Sequence, residues 1–471
     1  MNSDPKVVDL RSVLAEYGWS RYALKEYAVA STLGRNLFEK AAVSTAKIAG
    51  WYGDWFSRAR YVCRAVRLLE GFKISSELSY LHACVISDAK GYSGKNIENR
   101  VRQSYLRSSM ARGRRNLYLR HGSALAAAMK FPRENDSDHR QGNLLVLKRF
   151  NAGTGEKGVL YLQYTESISS FVALFDLDSL CNRYRIVVEP SSWGYQDDAF
   201  LLLIHPGLDV VILAQDELDF EYVRSLNGHL HPLRIGAGDW IDPYVFSAQA
   251  EHKEFDFVMV ASWSPVKRHS IFFSALAEAG LADAPIALIG YPWEGRNQSH
   301  IEDLARSYGL TNVAFHECIP REEVARIIRR SRAGVMLTRR EGANRGVYEC
   351  LFSGVPVVIS RENRGFNKSH ITAETGILAS DNELPSALCR IRDEAHTFKP
   401  REWALLNTGY RNAWRILNEK LRGLAIDNRE PYTKNIALIK SAPFAVYDVY
   451  VEQVELTPEY EILKSFIRDS V

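Results

Sequence analysis

The strongest constraint on the fold is a regular alternation of short apolar strands and amphipathic helices between residues 258 and 360. In the helix predicted over 268–280, Phe272, Phe273 and Leu276 share one face. Strict alternation of this kind predicts a parallel sheet with helices on both faces, which is a doubly wound α/β domain. The predicted strands are 258–261, 286–290, 313–315, 333–337 and 355–360, and the other predicted helices are 299–308 and 321–331.

The rest of the chain divides into further regions that differ in residue composition and hydrophobic pattern. A looser block of apolar runs begins at Leu144 and predicts a second α/β domain, whose strands are 144–147, 159–164, 185–188 and 209–214. The preceding residues contain few prolines and predict several helices, and a polar stretch separates the two regions. The predicted organisation is a helical N-terminal region (1–140), a first Rossmann-like domain (141–245), a second one (246–400), and a C-terminal helix and tail (401–471) that we expect to pack back on the first domain.

Composition excludes several classes of protein. The chain has 471 residues, 25% of them charged and 46% hydrophobic, with a net charge of +4, so it is neither disordered nor histone-like. No apolar run reaches the ~18 residues of a spanning helix, and the first residues lack a signal pattern, so we expect a cytoplasmic protein. The six cysteines include no CxxC pair, so neither a zinc ribbon nor a disulfide framework is expected.

The segment 337–360 carries the clearest functional signal. A predicted strand runs into a loop with Glu341, Asn344 is a good N-cap for a short helix, and Gly354 is a good residue to follow its end. Ligands of open α/β sheets bind at the carboxyl edge, where this loop lies. The helix start at 344–346 would offer free N–H groups to an anion such as a diphosphate, and Arg345 would add charge.

The two carboxylates of this segment, Glu341 and Glu349, are interpreted as binding groups. Eight residues on a continuous helix would separate them by ~12 Å, beyond the usual distance of an acid/base pair. We therefore expect each to bind a different part of a long ligand. The alternative is a loop glutamate and a helix glutamate in ordinary salt bridges, because this spacing is common by chance.

Four segments in the right order resemble the retaining GT-B glycosyltransferases, specifically the family-4-like group (glycosyltransferase group 1 type). Glu341 and Glu349 match its E-x7-E signature within an E-G…E…G-x-P-V-V run. The other three are VASWSPVKRH (260–269) for V-G-R-l-x-x-x-K-G, VAFHECIPREEV (313–324) for V-x-F-x-G-x-V-p-x-x-E-l, and LRIGAGDWIDPYVF (233–246) for the hinge that ends the first domain. The resemblance implies the GT-B fold, in which two Rossmann-like domains face a cleft, here with an extra helical N-terminal region.

The resemblance also implies roles for individual residues. Lys267 would bind the donor diphosphate and Glu341 the hydroxyls of the donor sugar, and these two are the expected catalytic residues. Glu349 would bind the ribose, Ile319 would contact the base, and Gly290 would let the backbone approach the nucleotide. The remaining residues expected on the donor side are Gly342, Ala343, Asn344, Arg345, Ser262 and Arg268.

The sequence departs from the family pattern at three places. The family's arginine falls at Ser262, so one diphosphate cation is missing or is supplied elsewhere, by Arg268 or Arg345. A family glycine is Glu317 here. The glycine-rich loop of the first domain has only a loose counterpart in 151–158, with Gly153 and Gly155, for which a plain hairpin turn is the equal alternative. No metal site stands out, and the resemblance implies neither a metal nor another cofactor.

The acceptor side is less defined. Glu189 follows a predicted strand, with Trp193 and Tyr195 as sugar-stacking candidates, and aromatic loop packing is the alternative. Residues 95–120 hold eight Lys and Arg against one acid. They predict either peripheral contact with anionic lipid on the inner face of a membrane or a solvated helix face. No nucleic-acid motif is present, so no nucleic-acid partner is expected.

The function expected from this resemblance is a metal-independent retaining glycosyltransferase of hexosyltransferase type. It would move a sugar from a UDP- or GDP-linked donor to a hydroxyl of a glycan or lipid-linked acceptor, in polysaccharide, glycolipid or other cell-envelope glycan synthesis. The alternatives are a non-catalytic nucleotide-sugar binder or membrane-associated scaffold of the same fold, and a membrane- or nucleic-acid-binding module built on the N-terminal region.

Overall fold

The computed structural model describes residues 106, 111–112 and 144–468, apart from 191–198, 227, 249–250, 294, 340–343 and 442–444. The predicted N-terminal helices and all but three residues of the basic segment 95–120 therefore lie outside the described residues. The chain forms two compact units. Among the described residues, unit 1 comprises those up to Ile235 and those from Trp414 onward, and unit 2 comprises those in Gly236–Ala413.

Unit 1 contains a five-stranded sheet in the order β1-β2-β3-β4-β5. Strands β2 to β5 are parallel, with Leu160 opposite Ile186 and Ile186 opposite Val210, whereas β1 is antiparallel to β2. All residues of β1, β2, β3 and β4 are buried, as their continuous apolar runs predict. The strands are β1 (Leu144–Lys148), β2 (Gly158–Gln163), β3 (Tyr184–Glu189), β4 (Val210–Leu213) and β5 (Leu230–Leu233).

The C-terminal segment completes unit 1. A two-stranded hairpin precedes a helix, and both are bonded to the first strand of the sheet. The hydroxyl of Tyr447 donates to the carbonyl of Val146 (2.8 Å), and the hydroxyl of Tyr460 accepts from the N–H of Val146 (3.0 Å). The elements are β12 (Ile439–Ser441), β13 (Ala445–Tyr447) and α12 (Tyr450–Lys464), and the earlier helices of unit 1 are α1 (Thr165–Leu174), α2 (Leu177–Leu180), α3 (Ala199–Leu202) and α4 (Glu217–Leu226).

Unit 2 contains a six-stranded parallel sheet in the order β8-β7-β6-β9-β10-β11. The chain runs outward from β6 to one edge and then returns beside β6 to build the other half. This is the 3-2-1-4-5-6 order of dinucleotide-binding Rossmann folds. The strands are β6 (Phe255–Val260), β7 (Ile286–Gly290), β8 (Val313–Glu317), β9 (Ser331–Met336), β10 (Val357–Ser360) and β11 (Gly376–Ala379).

Helices cover both faces of this sheet. Consecutive residues of β6 enter different cores, because side chains alternate along a strand: Phe257 packs with Phe272, and Val258 packs with Val347. The helices are α5 (His269–Glu278), α6 (Gln298–Ser307), α7 (Arg321–Arg329), α8 (Arg345–Phe352), α9 (Leu384–Asp393) and α10 (Pro400–Asn407), and α11 (Tyr410–Asp427) leads back into unit 1.

The predicted α/β class is confirmed, and the second block is the doubly wound sheet that the alternation predicts. The cleft between the two domains of a GT-B fold stays a prediction, as do the domain boundaries. The predicted C-terminal helix and tail (401–471) contain β12, β13 and α12. None of the described helices is both long and apolar enough to span a membrane.

Candidate functional site

The switch point of the unit 2 sheet lies between β6 and β9, which are neighbours with Val258 opposite Gly334. Chain connections diverge from this pair to the two edges, so the loops that follow β6 and β9 leave a crevice at the carboxyl edge. The loop after β6 carries Ser262 and Lys267, and the loop after β9 ends at Asn344, after which α8 begins with Arg345. The topology therefore brings these predicted donor residues to one edge of one sheet.

Helix α8 begins directly over this crevice. A Cβ at Gly346 would lie 2.3 Å from Cε of Met336 and 3.5 Å from Cβ of Val260, so the first turn of the helix contacts residues of both central strands. Asn344 precedes the helix, is only 4% exposed, and makes no side-chain capping bond. Its Nδ2 is buried with no hydrogen-bond partner within the described part of the chain. The Nδ2 group at the start of α8 is thus a hydrogen-bond donor that a ligand can use.

The other end of α8 is defined by the glycine that the sequence indicates. Gly354 has φ +75° and donates to the carbonyl of Leu351, while Val355 donates to the carbonyl of Cys350. This pair of bonds is a Schellman motif, which needs a residue in the left-handed region. The helix is therefore fixed at both ends, and its first turn is held against the strands.

Arg345 and Glu349 lie one turn apart on α8, and Arg321 at the start of α7 interacts with both. Burial raises the pKa of the Glu349 carboxyl, and the positive charges of Arg321 and Arg345 oppose that rise. Burial also lowers the pKa of Arg321, while Glu349 and Asp242 favour its charged form. The three side chains therefore form one charge cluster beside the crevice. The sequence analysis missed Arg321, although it follows the predicted base-contacting Ile319 by two positions.

The loop after β6 is a short turn that ends at Lys267. Pro265–Lys267 form one 3-10 turn, and Lys267 is half-buried. Beside it, the Oγ of Ser264 (1% exposed) and the Nε2 of His269 are buried without a hydrogen-bond partner among the residues described. Burial, together with the charges of Arg296 and Lys267, lowers the pKa of His269 to about 3. His269 is therefore neutral at pH 7, so this side chain adds no positive charge beside Lys267.

Arg268 is held in a buried ion pair. Its guanidinium, 2% exposed, donates to both carboxylate oxygens of Asp381 at 3.0 and 2.6 Å and to the carbonyl of Leu337 at 3.3 Å. Its backbone has φ +61°, a conformation that a glycine adopts without cost and that the family pattern fills with glycine. Arg268, a predicted cation of the donor side, is therefore paired with Asp381, and this partner was not predicted from the sequence.

The loops after β7 and β8 contain the remaining described donor residues. A Cβ at Gly290 would lie 2.5 Å from the carbonyl oxygen of Ala261 and 2.7 Å from the ring of Trp263, so a glycine is needed there for packing within the protein. Ile319 is partly buried against the core. Glu317, at a family glycine position, accepts from Nε1 of Trp263 (2.5 Å) and from the N–H of Gln298 (3.1 Å) at the start of α6. This departure from the pattern therefore has a structural role.

Several predicted site residues lie outside the described residues: Glu341, Gly342, Ala343, Trp193 and Tyr195. Their placement stays a prediction.

On the acceptor side, the described residues do not converge. Glu189 ends β3, is buried, and accepts from the hydroxyl of Tyr161 (2.7 Å) and from Nε2 of Gln163 (3.1 Å). Gly153 and Gly155 lie in the hairpin turn between β1 and β2, and Gly155 has φ +72°. That turn lies where β2 begins, whereas Glu189 lies where β3 ends, so the two features occupy opposite edges of a parallel sheet. The hairpin interpretation of the glycines fits this geometry.

A cavity of about 720 Å³ lies beside that hairpin turn. It is lined by the turn, the end of β1, residues 434–437 and the first turns of α12. Its buried lysine and glutamate, Lys148 and Glu156, bond each other at 3.0 Å. The cavity is therefore separate from the edge that holds Glu189.

Comparison with known proteins agrees with the topology of unit 2. Residues 242–393 match the family model described as glycosyl transferases group 1, which covers less than half of the chain. No curated protein matches the chain.

Three of the solved structures that are similar to the chain share little sequence identity with it. A mutant of S. aureus TarM in complex with fondaparinux, alpha-GlcNAc-glycerol and UDP shares 11% identity at a TM-score of 0.41, over 60% of this chain and 64% of that one. The chain therefore spans less than two thirds of that protein. Sucrose-phosphate synthase from Thermosynechococcus elongatus shares 17% identity at a TM-score of 0.45, over 57% and 74%. Anabaena HepE in complex with UDP and glucose shares 14% at 0.41, over 56% and 77%. The segment that builds most of unit 2, residues 242–393, is thus similar to the group 1 glycosyl transferases.

Proposed function

We propose that this protein is a retaining glycosyltransferase that moves a sugar from a UDP- or GDP-linked donor to a hydroxyl acceptor. One observation carries the proposal: a helix start lies over the switch point of a sheet with Rossmann strand order, and the Nδ2 of Asn344 there has no partner among the described residues. The match of residues 242–393 to group 1 glycosyl transferases supports the same chemistry.

The proposed donor site follows the crevice from one side to the other. We assign the diphosphate to Lys267 and to the N–H groups at the start of α8, where the helix dipole also favours an anion. We assign the ribose hydroxyls to Glu349, the base to Ile319, and the hydroxyls of the transferred sugar to Glu341. The raised pKa of Glu349 is countered by Arg321 and Arg345, which favours the ionised form that accepts hydroxyl hydrogens.

In the proposed reaction, the bond between the anomeric carbon and the diphosphate oxygen breaks, the acceptor oxygen bonds to that carbon from the same face, and the acceptor's proton passes to the departing diphosphate. Negative charge collects on the departing diphosphate, and a fixed cation and helix N–H groups stabilise that charge more in the transition state than in the bound donor. The acceptor, a glycan or lipid-linked hydroxyl, and peripheral membrane contact through 95–120 remain parts of the proposal without a described site.

A nucleotide screen tests donor binding. UDP, GDP and ADP are added to the purified protein and thermal unfolding is followed, because a ligand that binds the native state raises its stability. We expect stabilisation by UDP or GDP. A protein that is stabilised by none of the three does not have the proposed site.

Turnover separates the enzyme from a non-catalytic binder. Lys267→Ala and Glu341→Ala should each abolish donor hydrolysis and transfer while the protein stays folded, and Arg306→Ala on the exposed face of α6 is the control. Full activity in both variants would refute the site assignment. Nucleotide binding without hydrolysis or transfer of any donor would instead favour the sugar–nucleotide scaffold.

The stereochemistry and metal requirement are measured separately. NMR of the product should show the anomeric configuration of the donor, and EDTA should leave the rate unchanged if no resident metal is needed. An inverted product, or loss of activity that Mg²⁺ restores, would overturn these parts of the proposal alone.

A further inference from the structure

The loop after β6 supplies the proposed donor site with fewer positive charges than a diphosphate has negative charges. The loop after β6 offers Lys267 but has a buried serine, Ser262, where the family pattern has arginine. A nucleoside diphosphate carries more than one negative charge, so a single lysine leaves the phosphates incompletely neutralised. We propose that Arg345 supplies the second cation and binds the diphosphate from the helix side of the crevice. This inference rests on the proposed donor site and assigns Arg345 a role within it.

Arg345 is positioned at the crevice by the packing of its own helix. It is the first residue of α8, and the next residue, Gly346, lies against Met336 and Val260 near the ends of β9 and β6. The Nε of Arg345 is buried, and no described residue accepts a hydrogen bond from it. Two consecutive residues at one helix start, Asn344 and Arg345, thus each have a buried N–H group without an acceptor among the described residues. Leaving such groups unpaired is costly, and phosphate oxygens would satisfy both.

The neighbouring arginines are already bound within the protein. Arg268 gives two hydrogen bonds to Asp381, and Arg339 gives a third at 2.9 Å. Arg321 stacks over the ring of Phe246 at 5.0 Å and interacts with Glu349. Of the two replacements that the sequence leaves open, the ion pair of Arg268 therefore favours Arg345.

The spacing along α8 fits one nucleotide. Arg345 and Glu349 are four residues apart, so they lie on the same face, separated by ~6 Å along the axis. Ribose and diphosphate are adjacent in a nucleotide, so a ribose on Glu349 would bring its phosphates toward Arg345. The same spacing allows Arg345 to favour the ionised form of Glu349. One helix face would therefore bind two successive parts of the donor.

The test compares ligands with and without phosphates. Binding of UDP, GDP, uridine and guanosine is measured for the wild-type protein, Arg345→Ala and Arg345→Lys, and Arg306→Ala is the control that removes an exposed arginine elsewhere in unit 2. We expect Arg345→Ala to weaken binding of the preferred nucleoside diphosphate by roughly 10- to 100-fold, because a charge-assisted bond to phosphate is lost. Affinity for the nucleoside should be unchanged, and Arg345→Lys should retain part of the diphosphate affinity.

The possible results distinguish the proposed role of Arg345 from the existence of the donor site itself. Equal diphosphate affinity in Arg345→Ala and wild type would overturn the inference and leave the donor site intact. Equal weakening for nucleoside and diphosphate would also overturn it, because that result indicates a structural role of Arg345 in α8. If the wild-type protein binds neither UDP nor GDP, the proposed donor site itself fails, and the inference fails with it.

Discussion

The ion pair between Arg268 and Asp381 provides the sharpest test of how unit 2 is stabilised. Replacing Asp381 by alanine removes the carboxylate that bonds Arg268 at 3.0 and 2.6 Å and leaves a guanidinium that is 2% exposed. Breaking a buried pair from one side costs about 3–5 kcal/mol. The Asp381 side chain is itself 35% exposed, so solvent screens part of the interaction. We therefore expect a loss of about 2–3 kcal/mol.

The loss is best measured locally, because a two-unit chain need not unfold in one step. Hydrogen exchange of peptides from 331–391 reports the opening of the sheet of unit 2. Where exchange requires that opening, Asp381→Ala should accelerate it by roughly 30- to 150-fold. The matched control is Asp303→Ala, whose partner Arg306 is exposed, and the expected change there is under ~1 kcal/mol.

Equal exchange rates for Asp381→Ala, Asp303→Ala and wild type would refute the buried-pair reasoning and would make Arg268 available for a ligand. A complementary variant strengthens the test. Arg268→Met combined with Asp381→Leu should recover much of the lost stability, because an apolar pair avoids the cost of an unpaired buried charge.

Three further outcomes follow from the packing and the electrostatics. Gly376→Ala should destabilise unit 2 strongly and lower its Tm, because its Cβ would lie 2.0 Å from the carbonyl oxygen of Val357 in the neighbouring strand. Gly423→Ala in α11 should instead raise the Tm, by an amount equivalent to at most ~1 kcal/mol, because no atom lies within 4 Å of its Cβ and alanine favours helix. Burial raises the pKa of Asp209, but the hydrogen bond with His231 and other contacts lower it overall, to about 2. Since the unfolded value is about 3.9, its contribution to stability is present above pH ~4 and disappears as the pH falls to about 2; acid unfolding of Asp209→Asn should lack this component, and identical acid profiles would contradict the assignment.

The sequence was most informative where both faces of a strand are buried. The central strands of unit 2 were predicted because they read as continuous apolar runs between amphipathic helices. Two edge strands, β5 and β11, were missed, whereas the other two, β1 and β8, were predicted. Strand β5 contains Pro232, which is tolerated because an edge strand leaves part of its backbone unpaired, and β11 is a short half-buried strand that begins at Gly376. The formation of such strands depends on hydrogen bonds to the neighbouring strand more than on the hydrophobic pattern of their own residues.

The residues in and around the candidate site also differ in whether the sequence alone reveals them. Asn344 and Arg345 were recognised because a cap and a charge occur at one predicted helix start, and Glu349 because it matches the E-x7-E signature of the family it resembles. Asp381 was not, because its importance comes from a pairing with Arg268 that is 113 positions away in the sequence. Side chains whose partners come from tertiary contacts leave no local signal.

The division of the chain into units has a consequence for the order of folding. Unit 2 is one continuous segment, whereas unit 1 needs Trp414–Val471 to pair with residues far upstream, such as Val146 with Tyr460 across 314 positions. During synthesis, unit 2 has its whole sequence available before unit 1 does. Loop closure over such separations is slow, so the final step of maturation should be the docking of α12 and its hairpin against β1. Nascent chains arrested before residue 440 should therefore protect the sheet of unit 2 from proteolysis while the β1 region is still cleaved.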